Sequence, residues 1–376
     1  PSDPPTLAIE PISIYSRFEK YSFVTRRAQE IDVGRRFASR ITQFDPDIVV
    51  GSNLPLDSLK IVSNSCREHA RPFVFWLQDI YSSAIYRILK ERWGIAGALI
   101  GKHYMAIERK VARASSGIVA ISQDFLPEIS SQFGVKGEEV QVIENWAPLD
   151  EIEPRSKNNP WSREQGFADK EIVLYTGTLG MKHDPSTILA LARAIRERSN
   201  TIVAVASEGP SADWLAQQAA AEGLSSLRVI GFQPYEVYPD VLGSADVLIS
   251  ILERDAGIYS VPSKVLSYLC AGRAIALAAP NANLASRIVE SAKAGVVVEP
   301  GQSERLATGL RMLLDDKGAR DEAARNARDY AERNFQISRI CDRFMDVLIT
   351  ACRNKGPVIR SRIPIRTRNV QVERHL

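Results

Sequence analysis

One short segment, residues 171–185, limits what this chain can fold into more than any other. Its first part, Ile172–Tyr175, is a continuous apolar run of the kind found in strands buried within a parallel sheet. Its last part pairs Asp184 with Pro185, a combination typical of a helix N-cap followed by a first-turn proline. The segment therefore predicts a strand, a turn and a helix, which is the repeating unit of an α/β fold.

The turn inside this segment has the composition of an anion site. Gly177 and Gly180 allow the backbone to approach a ligand closely, and Lys182 adds a positive charge beside the predicted helix start. Helix N-termini favour anions, of which phosphate is the commonest. An ordinary strand-to-helix turn with a surface lysine fits the same residues. The segment alone leaves both interpretations open.

Strands and helices alternate from about residue 47 to the helical C-terminal part. This order predicts two Rossmann-like α/β domains with a cleft between them, and ligands at the carboxyl ends of the strands. The predicted domains are 1–149 and 150–345, followed by a helix end and basic tail at 346–376. A helix over 25–44 precedes the first strand, so the first domain is predicted to lack its N-terminal βα unit. The predicted strands are 47–51, 73–77, 117–121, 140–143, 171–176, 201–206, 227–230, 246–251, 274–279 and 295–298.

Composition excludes several classes of protein. With 376 residues the chain is long enough for two cores, and no stretch approaches the roughly 18 apolar residues of a membrane span. A net charge of +3 gives no general argument for nucleic acid as a partner. Four cysteines without metal or disulfide spacing fit a reducing cytoplasm. No signal peptide is visible, and the loop-like start at Pro1 suggests that the chain begins inside a longer one.

A second segment, Tyr259–Arg273, places another lysine at a helix start. It follows the strand predicted at 246–251, and Ser263 is a suitable N-cap for the helix. Lys264 then lies in the first turn, where a cation opposes the helix dipole unless an anion is bound. A solvated first-turn lysine is the alternative.

Five motifs follow one another in a fixed order along the second half of the chain. They are Leu174–Gly180, Ser207–Pro210, Val229–Tyr235, Ser244–Ile249, and Val261–Lys264 with Ala271–Gly272 after it. Together they resemble the donor half of a GT-B glycosyltransferase of the GT4 type. The similarity is greatest to enzymes that build bacterial surface polysaccharides, of the colanic acid and fucosamine-transferase-like kind, and it extends over about residues 45–345.

The resemblance implies a site for a nucleotide diphosphate sugar as substrate, with no cofactor and no bound metal. Lys182 and Lys264, with the two helix N-termini, would stabilise the departing diphosphate. Phe232 and Gln233 fall where the family packs the nucleobase. The other donor-binding positions that the resemblance implies are Gly177, Thr178, Leu179, Gly180, Ser260, Val261, Pro262 and Ser263.

The chain departs from the family pattern in several places. Tyr259 and Ser267 stand where GT4 enzymes commonly have two glutamates that contact the donor, so Lys264 and nearby N–H groups must substitute. Gln78 stands where many members have histidine and can hydrogen-bond a sugar hydroxyl, while Asp79 can accept a proton or orient the acceptor. N-capping of the next helix is the alternative role for Asp79. The family's glycine loop after the first strand is not found.

Two basic segments raise the question of a membrane. Residues 86–113 mix apolar side chains with Lys and Arg, which fits a helix face resting on anionic lipid and equally a packed helix with a solvated face. From Arg353 to the C-terminus, seven Lys or Arg stand against Glu373 alone. That tail either touches acidic headgroups or only solubilises the chain. Residues 145–167, rich in Asn, Pro, Trp and charge, are predicted to link the domains.

The sequence as a whole predicts a cytoplasmic glycosyltransferase, at the inner face of the membrane if the basic segments bind lipid. It would move a sugar from a nucleotide diphosphate sugar to a polysaccharide or lipid-linked acceptor, with retention of configuration if the family rule holds. Two alternatives stay open: a GT-B-fold sugar-nucleotide epimerase, and a non-catalytic nucleotide-sugar-binding protein. The four histidines are isolated, so no metal site is predicted, and the chain contains neither a P-loop nor a dinucleotide-binding fingerprint.

Overall fold

The computed structural model describes residues 6–14, 19, 22–180, 183–254 and 263–353. The chain divides into two compact units. Unit 1 extends to Val142 and resumes at Arg343, and unit 2 spans Ile143–Asp342. Each unit contains one parallel sheet with helices in the connections, which confirms the predicted α/β class. No helix of the described residues combines the length and the apolar composition that crossing a bilayer requires.

Unit 1 is built on four parallel strands in the order β1-β2-β3-β4. Strand β2 lies inside this sheet, and all its residues but Trp76 are buried, which explains its continuous apolar sequence. The four predicted strands are confirmed within two residues at each end. The elements are α1 (Phe23–Phe44), β1 (Val49–Ser52), α2 (Leu56–Glu68), β2 (Phe73–Leu77), α3 (Tyr81–Ala114), β3 (Gly117–Ala120), α4 (Phe125–Glu128) with a π-helical turn (Ile129–Phe133), β4 (Val140–Val142) and the end of α13 (Ile337–Arg353).

Helix α3 is longer than the segment 86–113 that the sequence analysis considered as a helix. The helix begins at Tyr81 and reverses at Gly94, where φ is 57° and ψ is −128°. Glycine adopts this backbone conformation at little cost, whereas a residue with a Cβ is strained there. Gly94 thus divides α3 into a first limb, residues 81–93, and a second limb, residues 95–114.

The two limbs of α3 run antiparallel and in close contact. Gly97 lies against the carbonyl group of Leu89, and Gly101 lies against the backbone of Tyr86. A Cβ at Gly97 would come within 1.8 Å of the Leu89 oxygen, so no other residue fits without a shift of the backbone. We call this pair of limbs the α3 hairpin.

Unit 2 is built on six parallel strands in the order β10-β9-β8-β5-β6-β7. The four inner strands, β9, β8, β5 and β6, are buried on both faces between two clusters of core side chains, which explains their apolar sequences. All six predicted strands are confirmed to within one residue. The elements are α5 (Pro160–Glu164), β5 (Glu171–Thr176), α6 (Pro185–Ala194), β6 (Thr201–Ala206), α7 (Pro210–Glu222), β7 (Leu227–Ile230), α8 (Tyr238–Gly243), β8 (Val247–Ile251), α9 (Ser263–Cys270), β9 (Ala274–Ala278), α10 (Leu284–Ala292), β10 (Gly295–Val298), α11 (Ser303–Asp315), α12 (Lys317–Asn334) and the start of α13.

The strand order of unit 2 changes direction between β5 and β8. From β5 the chain adds β6 and β7 on one side, and from β8 it adds β9 and β10 on the other. The connections that leave β5 and β8 therefore diverge, and a crevice opens at the carboxyl ends of these two strands. The Gly177 turn follows β5, so it lies at this switch point.

Residues 145–167, predicted as a linker, are part of the body of unit 2. Ile152, Trp161 and Phe167 are buried in its core. Asn159 caps α5 by accepting a hydrogen bond from the Ser162 N–H at 2.9 Å. The polar and proline-rich composition of this segment therefore belongs to a folded part of unit 2. The prediction of a linker between the domains was wrong.

Candidate active site

The turn after β5 is held in place from below. The Gly177 N–H donates to the Ala206 carbonyl at 3.0 Å, which ties the turn to the end of β6. The Tyr175 hydroxyl donates to the Thr178 carbonyl at 3.0 Å. Gly177 has a φ of 97°, a conformation that favours glycine. The turn is thus anchored on both sides, while Thr178 remains exposed.

Helix α6 begins immediately beyond this turn, as the sequence predicted. The Asp184 carboxylate accepts from the Ser186 N–H at 2.9 Å, and Pro185 is the first helical residue. His183 and Gly180 are bonded reciprocally, because the Gly180 N–H donates to His183 Nδ1 at 3.2 Å and the His183 N–H donates to the Gly180 carbonyl at 3.0 Å. This pair fixes how the chain enters the helix.

Lys264 comes to the same place from α9. Its ammonium group donates to the Tyr175 hydroxyl and lies 3.8 Å from the centre of the Tyr175 ring, a cation–π contact. A Cβ placed on Gly177 would lie 3.8 Å from Lys264 Nζ, so the amine is next to the turn. Helix α9 begins at Ser263, which is its first helical residue and not the N-cap as predicted.

Burial lowers the pKa of Lys264 to about 7. Among the residues that the structure describes, no carboxylate forms an ion pair with this amine. A cation withdrawn from water without a carboxylate is unfavourable, and an anion placed beside it would restore the charged form. The same burial raises the pKa of the Tyr175 hydroxyl, so the phenol stays neutral.

A cavity of about 480 Å³ opens above these residues in unit 2. It has the size of a small-molecule site and combines apolar walls with convergent polar groups. Its lining residues come from the ends of β5, β6 and β8, from the entry to α6, from the loop after β7 and from α8 and α9. They are Thr176, Gly177, Thr178, His183, Ala206, Phe232, Gln233, Tyr238, Val241, Leu252, Ser263, Lys264 and Ser267.

The floor of the cavity is a chain of hydroxyl groups. Thr176 Oγ1 lies 3.3 Å from the Tyr238 hydroxyl and 3.2 Å from that of Tyr268, and the Thr176 N–H donates to Tyr268 at 3.1 Å. Burial raises the pKa of Tyr238 and Tyr268, so both phenols remain neutral. Ser267, which stands where the family commonly has a glutamate, also lines the cavity and bonds Tyr238.

The loop after β7 forms the rim. The ring of Phe232 is 47% exposed at the cavity, while its N–H donates to a Glu208 carboxylate oxygen at 3.1 Å. Gln233 uses both ends of its amide within the protein: Oε1 accepts from Trp161 Nε1 at 2.7 Å and Nε2 donates to the Gly231 carbonyl at 2.9 Å. Phe232 therefore offers a flat apolar face to a ligand, whereas Gln233 fixes the loop.

The structure brings six of the predicted site residues together around this cavity: Gly177, Thr178, Phe232, Gln233, Ser263 and Lys264. Leu179 and Gly180 are not among the lining residues, because the Leu179 side chain is buried in the core and the Gly180 N–H is bonded to His183. Lys182, Ser260, Val261, Pro262 and also Tyr259 lie outside the described residues.

Gln78 and Asp79 lie in unit 1, at the carboxyl end of β2. The alternative role of Asp79 as N-cap is wrong, since Ile80 occupies the N-cap position of α3. The first turn of α3 is instead supported by Glu108, whose Oε2 accepts from the Ser82 N–H at 3.0 Å. Glu108 is fully buried, and burial raises its pKa to about 7 against the opposing effect of hydrogen bonding from Ser82.

Sequence reasoning missed the residues that shape the cavity from below. Tyr238 lies outside the motifs, Tyr268 lies within Tyr259–Arg273 but was given no role, and their partner Thr176 lies far from both in the sequence. His183 was considered only as a metal ligand. Its position directly before the Asp184 cap, facing the glycine turn, is the signal that could have identified it. Within the described ranges, no three His, Cys, Asp or Glu side chains are grouped so that they could hold a metal ion.

Two α/β units, each with one parallel sheet, and a cavity at the switch point of the second agree with the GT-B architecture of glycosyltransferases. The family model described as Glycosyltransferase Family 4 matches residues 1–151, and the model described as Glycosyl transferases group 1 matches residues 158–330. The chain belongs to the GT-B glycosyltransferases, with a family 4 domain followed by a group 1 domain.

Similarity to individual relatives is distant. The chain is 23% identical over 254 residues to the colanic acid biosynthesis glycosyl transferase WcaI of Escherichia coli, an alignment that covers 66% of this chain and 61% of that protein. It is 25% identical over 285 residues to a glycogen synthase of Mycobacterium tuberculosis, covering 72% of this chain and 64% of the relative. The matched part thus spans less than two thirds of the length of these relatives.

Among solved structures, Anabaena Alr3699/HepE in complex with UDP superimposes with a TM-score of 0.69 at 18% identity. The superposition covers 85% of this chain and 82% of that one. The same protein in complex with UDP-glucose gives a TM-score of 0.68. At this level of identity the likeness establishes the fold.

Proposed function

We propose that this protein transfers a sugar from a nucleotide diphosphate sugar to a saccharide or lipid-linked acceptor. The observation that carries the proposal is Lys264, a partly desolvated amine beside the Gly177 turn at the switch point of unit 2. Such an amine, without a carboxylate partner among the described residues, suits a diphosphate better than a neutral ligand.

The cavity suggests how the donor would lie. Phe232 would stack on the nucleobase at the rim, and the diphosphate would reach down to the Gly177 turn and the start of α9. Lys264 would become charged as the diphosphate binds, and would stabilise the negative charge that develops on the leaving group. The hydroxyl groups of Thr178, Ser263 and Ser267 are suited to the phosphates or the donor sugar.

The proposal extends to residues beyond this cavity. Lys182 and the segment Ser260–Pro262 are assigned to the diphosphate and donor sugar by their family motifs alone. Gln78 and Asp79 are assigned to the acceptor, where Gln78 would bond a sugar hydroxyl and Asp79 would orient the attacking group or accept its proton. Lysines and helix N-termini would carry the charge, so we propose a reaction without a metal cofactor.

The relatives favour particular substrates. Anabaena HepE has been crystallised with UDP and with UDP-glucose, which makes a uridine nucleotide the first donor to test. The name of WcaI refers to colanic acid biosynthesis, which favours a polysaccharide or a lipid-linked saccharide as the acceptor. We further propose retention of configuration and a cytoplasmic site of action in a bacterial cell, as the family resemblance implies.

The test compares nucleotide binding by the full chain and by two matched lysine variants. UDP and GDP are titrated by calorimetry into the wild type, Lys264→Gln and Lys317→Gln. Lys317 likewise lies in the first turn of its helix, but its side chain is exposed and pairs with Asp321. Loss of a charged hydrogen-bond donor should weaken diphosphate binding by roughly 10- to 100-fold in Lys264→Gln, whereas Lys317→Gln should bind like the wild type.

Two results would contradict the proposal. If the wild type bound neither UDP nor GDP, the proposed donor site would be wrong. If Lys264→Gln bound the nucleotides as tightly as the wild type, Lys264 would not be part of the site. Incubation with a sugar nucleotide then separates the remaining alternatives. Release of the nucleoside diphosphate with transfer or hydrolysis of the sugar indicates a transferase, a change of sugar configuration indicates an epimerase, and binding without turnover indicates a non-catalytic protein.

A further inference from the structure

The tip of the α3 hairpin exposes large apolar side chains to an unusual degree. Ile95 is 84% exposed, Leu99 is 64% exposed and Trp93 is 43% exposed. The start of α1 enlarges this apolar end of unit 1, because Phe23 packs edge-on against Trp93 with ring centres 6.1 Å apart, and Val24 beside it is 79% exposed. Large apolar groups clustered on a surface mark a place that binds something.

Below the tip, the same face of the second limb becomes basic. Ile95, Leu99, Lys102, Arg109 and Arg113 follow one another at intervals of three, four or seven residues and therefore share one side of the helix. All five are exposed. Arg109 and Arg113 are held against the π-helical turn, because Arg109 Nε donates to the Gln132 carbonyl at 2.5 Å and Arg113 Nε donates to the Phe133 carbonyl at 2.6 Å. The side is therefore exposed to a partner mainly from the apolar tip to Lys102.

The charge of the hairpin is strongly one-sided. Between Arg87 and Arg113 there are seven Lys or Arg and two acids, Glu91 and Glu108. Glu108 is fully buried, so Glu91 is the acid of this stretch that is exposed at the surface together with the cations. A protein partner would need an acidic groove next to an apolar pocket. An anionic lipid bilayer offers headgroup phosphates and acyl chains side by side over any length.

We propose that the α3 hairpin docks unit 1 on an anionic membrane. Trp93, Ile95 and Leu99 enter the interface between headgroups and acyl chains, where Trp is favoured. Lys102 and Lys110 then face the lipid phosphates. The close contacts of Gly97 and Gly101 with the first limb hold the two limbs together, which lowers the loss of conformational freedom on binding. The inference rests on unit 1 and is independent of the donor cavity.

The test measures binding of the full chain to lipid vesicles by cosedimentation. Vesicles of phosphatidylcholine with phosphatidylglycerol are compared with vesicles of phosphatidylcholine alone. The wild type should bind the anionic vesicles, and added salt should weaken this binding. Ile95→Asp with Leu99→Asp should lower the partition coefficient by at least about tenfold. Lys102→Gln with Lys110→Gln should lower it roughly 20-fold on anionic vesicles and leave it unchanged on neutral ones.

Met312→Asp is the matched control, since Met312 is 65% exposed on a helix of unit 2 and should not affect lipid binding. Unchanged melting temperature and UDP binding in all variants would show that they are folded. The proposal would be overturned if the wild type did not bind anionic vesicles. It would also be overturned if the Ile95→Asp, Leu99→Asp variant bound them as tightly as the wild type. A dimer that forms without lipid and is lost in this variant would assign the surface to a second copy of the chain instead.

Discussion

Lys264 in unit 2 and Glu108 in unit 1 are opposite charges that burial has brought to the same pKa of about 7. Both lie near the carboxyl end of a central parallel strand and close to the start of a helix. They differ in what surrounds them. Lys264 borders an open cavity, whereas Glu108 is fully buried and bonds the first turn of α3.

This difference separates a group prepared for a ligand from a group that supports a fold. The desolvation of Lys264 is relieved when an anion enters the cavity, so the energy cost of the empty state is recovered on binding. The desolvation of Glu108 is offset within the protein, by proton uptake and by its bond to the Ser82 N–H. A perturbed pKa alone therefore does not identify a functional residue, and access to a cavity decides between the two cases.

The largest expected effect is on turnover. Lys264→Met should lower the rate of sugar transfer by roughly 10²- to 10³-fold, the usual loss when one preorganised donor to a developing charge is removed. The melting temperature at pH 7 should stay at or above the wild-type value, because a partly desolvated amine is replaced by an apolar side chain of similar length. Steady-state kinetics and a thermal melt measure the two quantities.

Lys317→Met serves as the control for the loss of a first-turn lysine and should change neither quantity appreciably. Glu108→Gln should leave turnover within a few-fold of the wild type if Glu108 has a structural role. A large drop in melting temperature for Lys264→Met, or a loss of turnover for Glu108→Gln as great as that for Lys264→Met, would break the distinction between the two residues.

The next largest effect concerns stability. Glu108→Ala removes the acceptor of the Ser82 N–H and leaves a space in the core, which should cost about 2–4 kcal/mol of the free energy of unfolding. Glu108→Gln keeps the shape and an acceptor oxygen, so we expect a loss below about 1.5 kcal/mol. Chemical denaturation measures both, and hydrogen exchange at Ser82 gives a local readout. Equal losses for the two variants would show that the hydrogen bond is not the stabilising feature.

Most of the sheet framework could be predicted because its strands are buried on both faces. Such strands appear as largely apolar runs, and β2, β5 and β6 were bounded correctly from their residues alone. The start of α3 at Tyr81 and the reversal at Gly94 that ends its first limb were not predicted. The sequence of this limb mixes apolar and basic residues, and its position depends on Gly97 and Gly101 contacting Leu89 and Tyr86, which is a tertiary effect.

The candidate site was predictable in outline and not in its details. Motif order placed Lys264 and Gly177 in one site, and the structure places them side by side. That Lys264 would contact Tyr175 could not be inferred, because 89 residues separate them in the sequence. Gln233 illustrates the limit of motif transfer. Its amide is bonded to Trp161 and Gly231, so it holds the loop that presents Phe232.

The smallest effects, and the most direct comparison, are in the pH dependence of stability. The pKa of Lys264 falls from its ordinary 10.5 to about 7 in the folded protein, so the unfolded chain binds more protons between these values and stability should rise with pH in that window. The pKa of Glu108 rises from 4.5 to about 7, so the folded chain binds more protons there and stability should fall as pH rises from 4.5 to 7.

Each slope should disappear in its own variant. Lys264→Met should flatten the free energy of unfolding above pH 7, and Glu108→Gln should flatten it below pH 7, by about 1–3 kcal/mol across each window. UDP sharpens the comparison, because a bound diphosphate restores the charge of Lys264 and leaves Glu108 unaffected. Saturating UDP should therefore remove the rise above pH 7 and preserve the fall below it. If UDP altered both slopes equally, Glu108 would be coupled to the donor site and the two residues would not have separate roles.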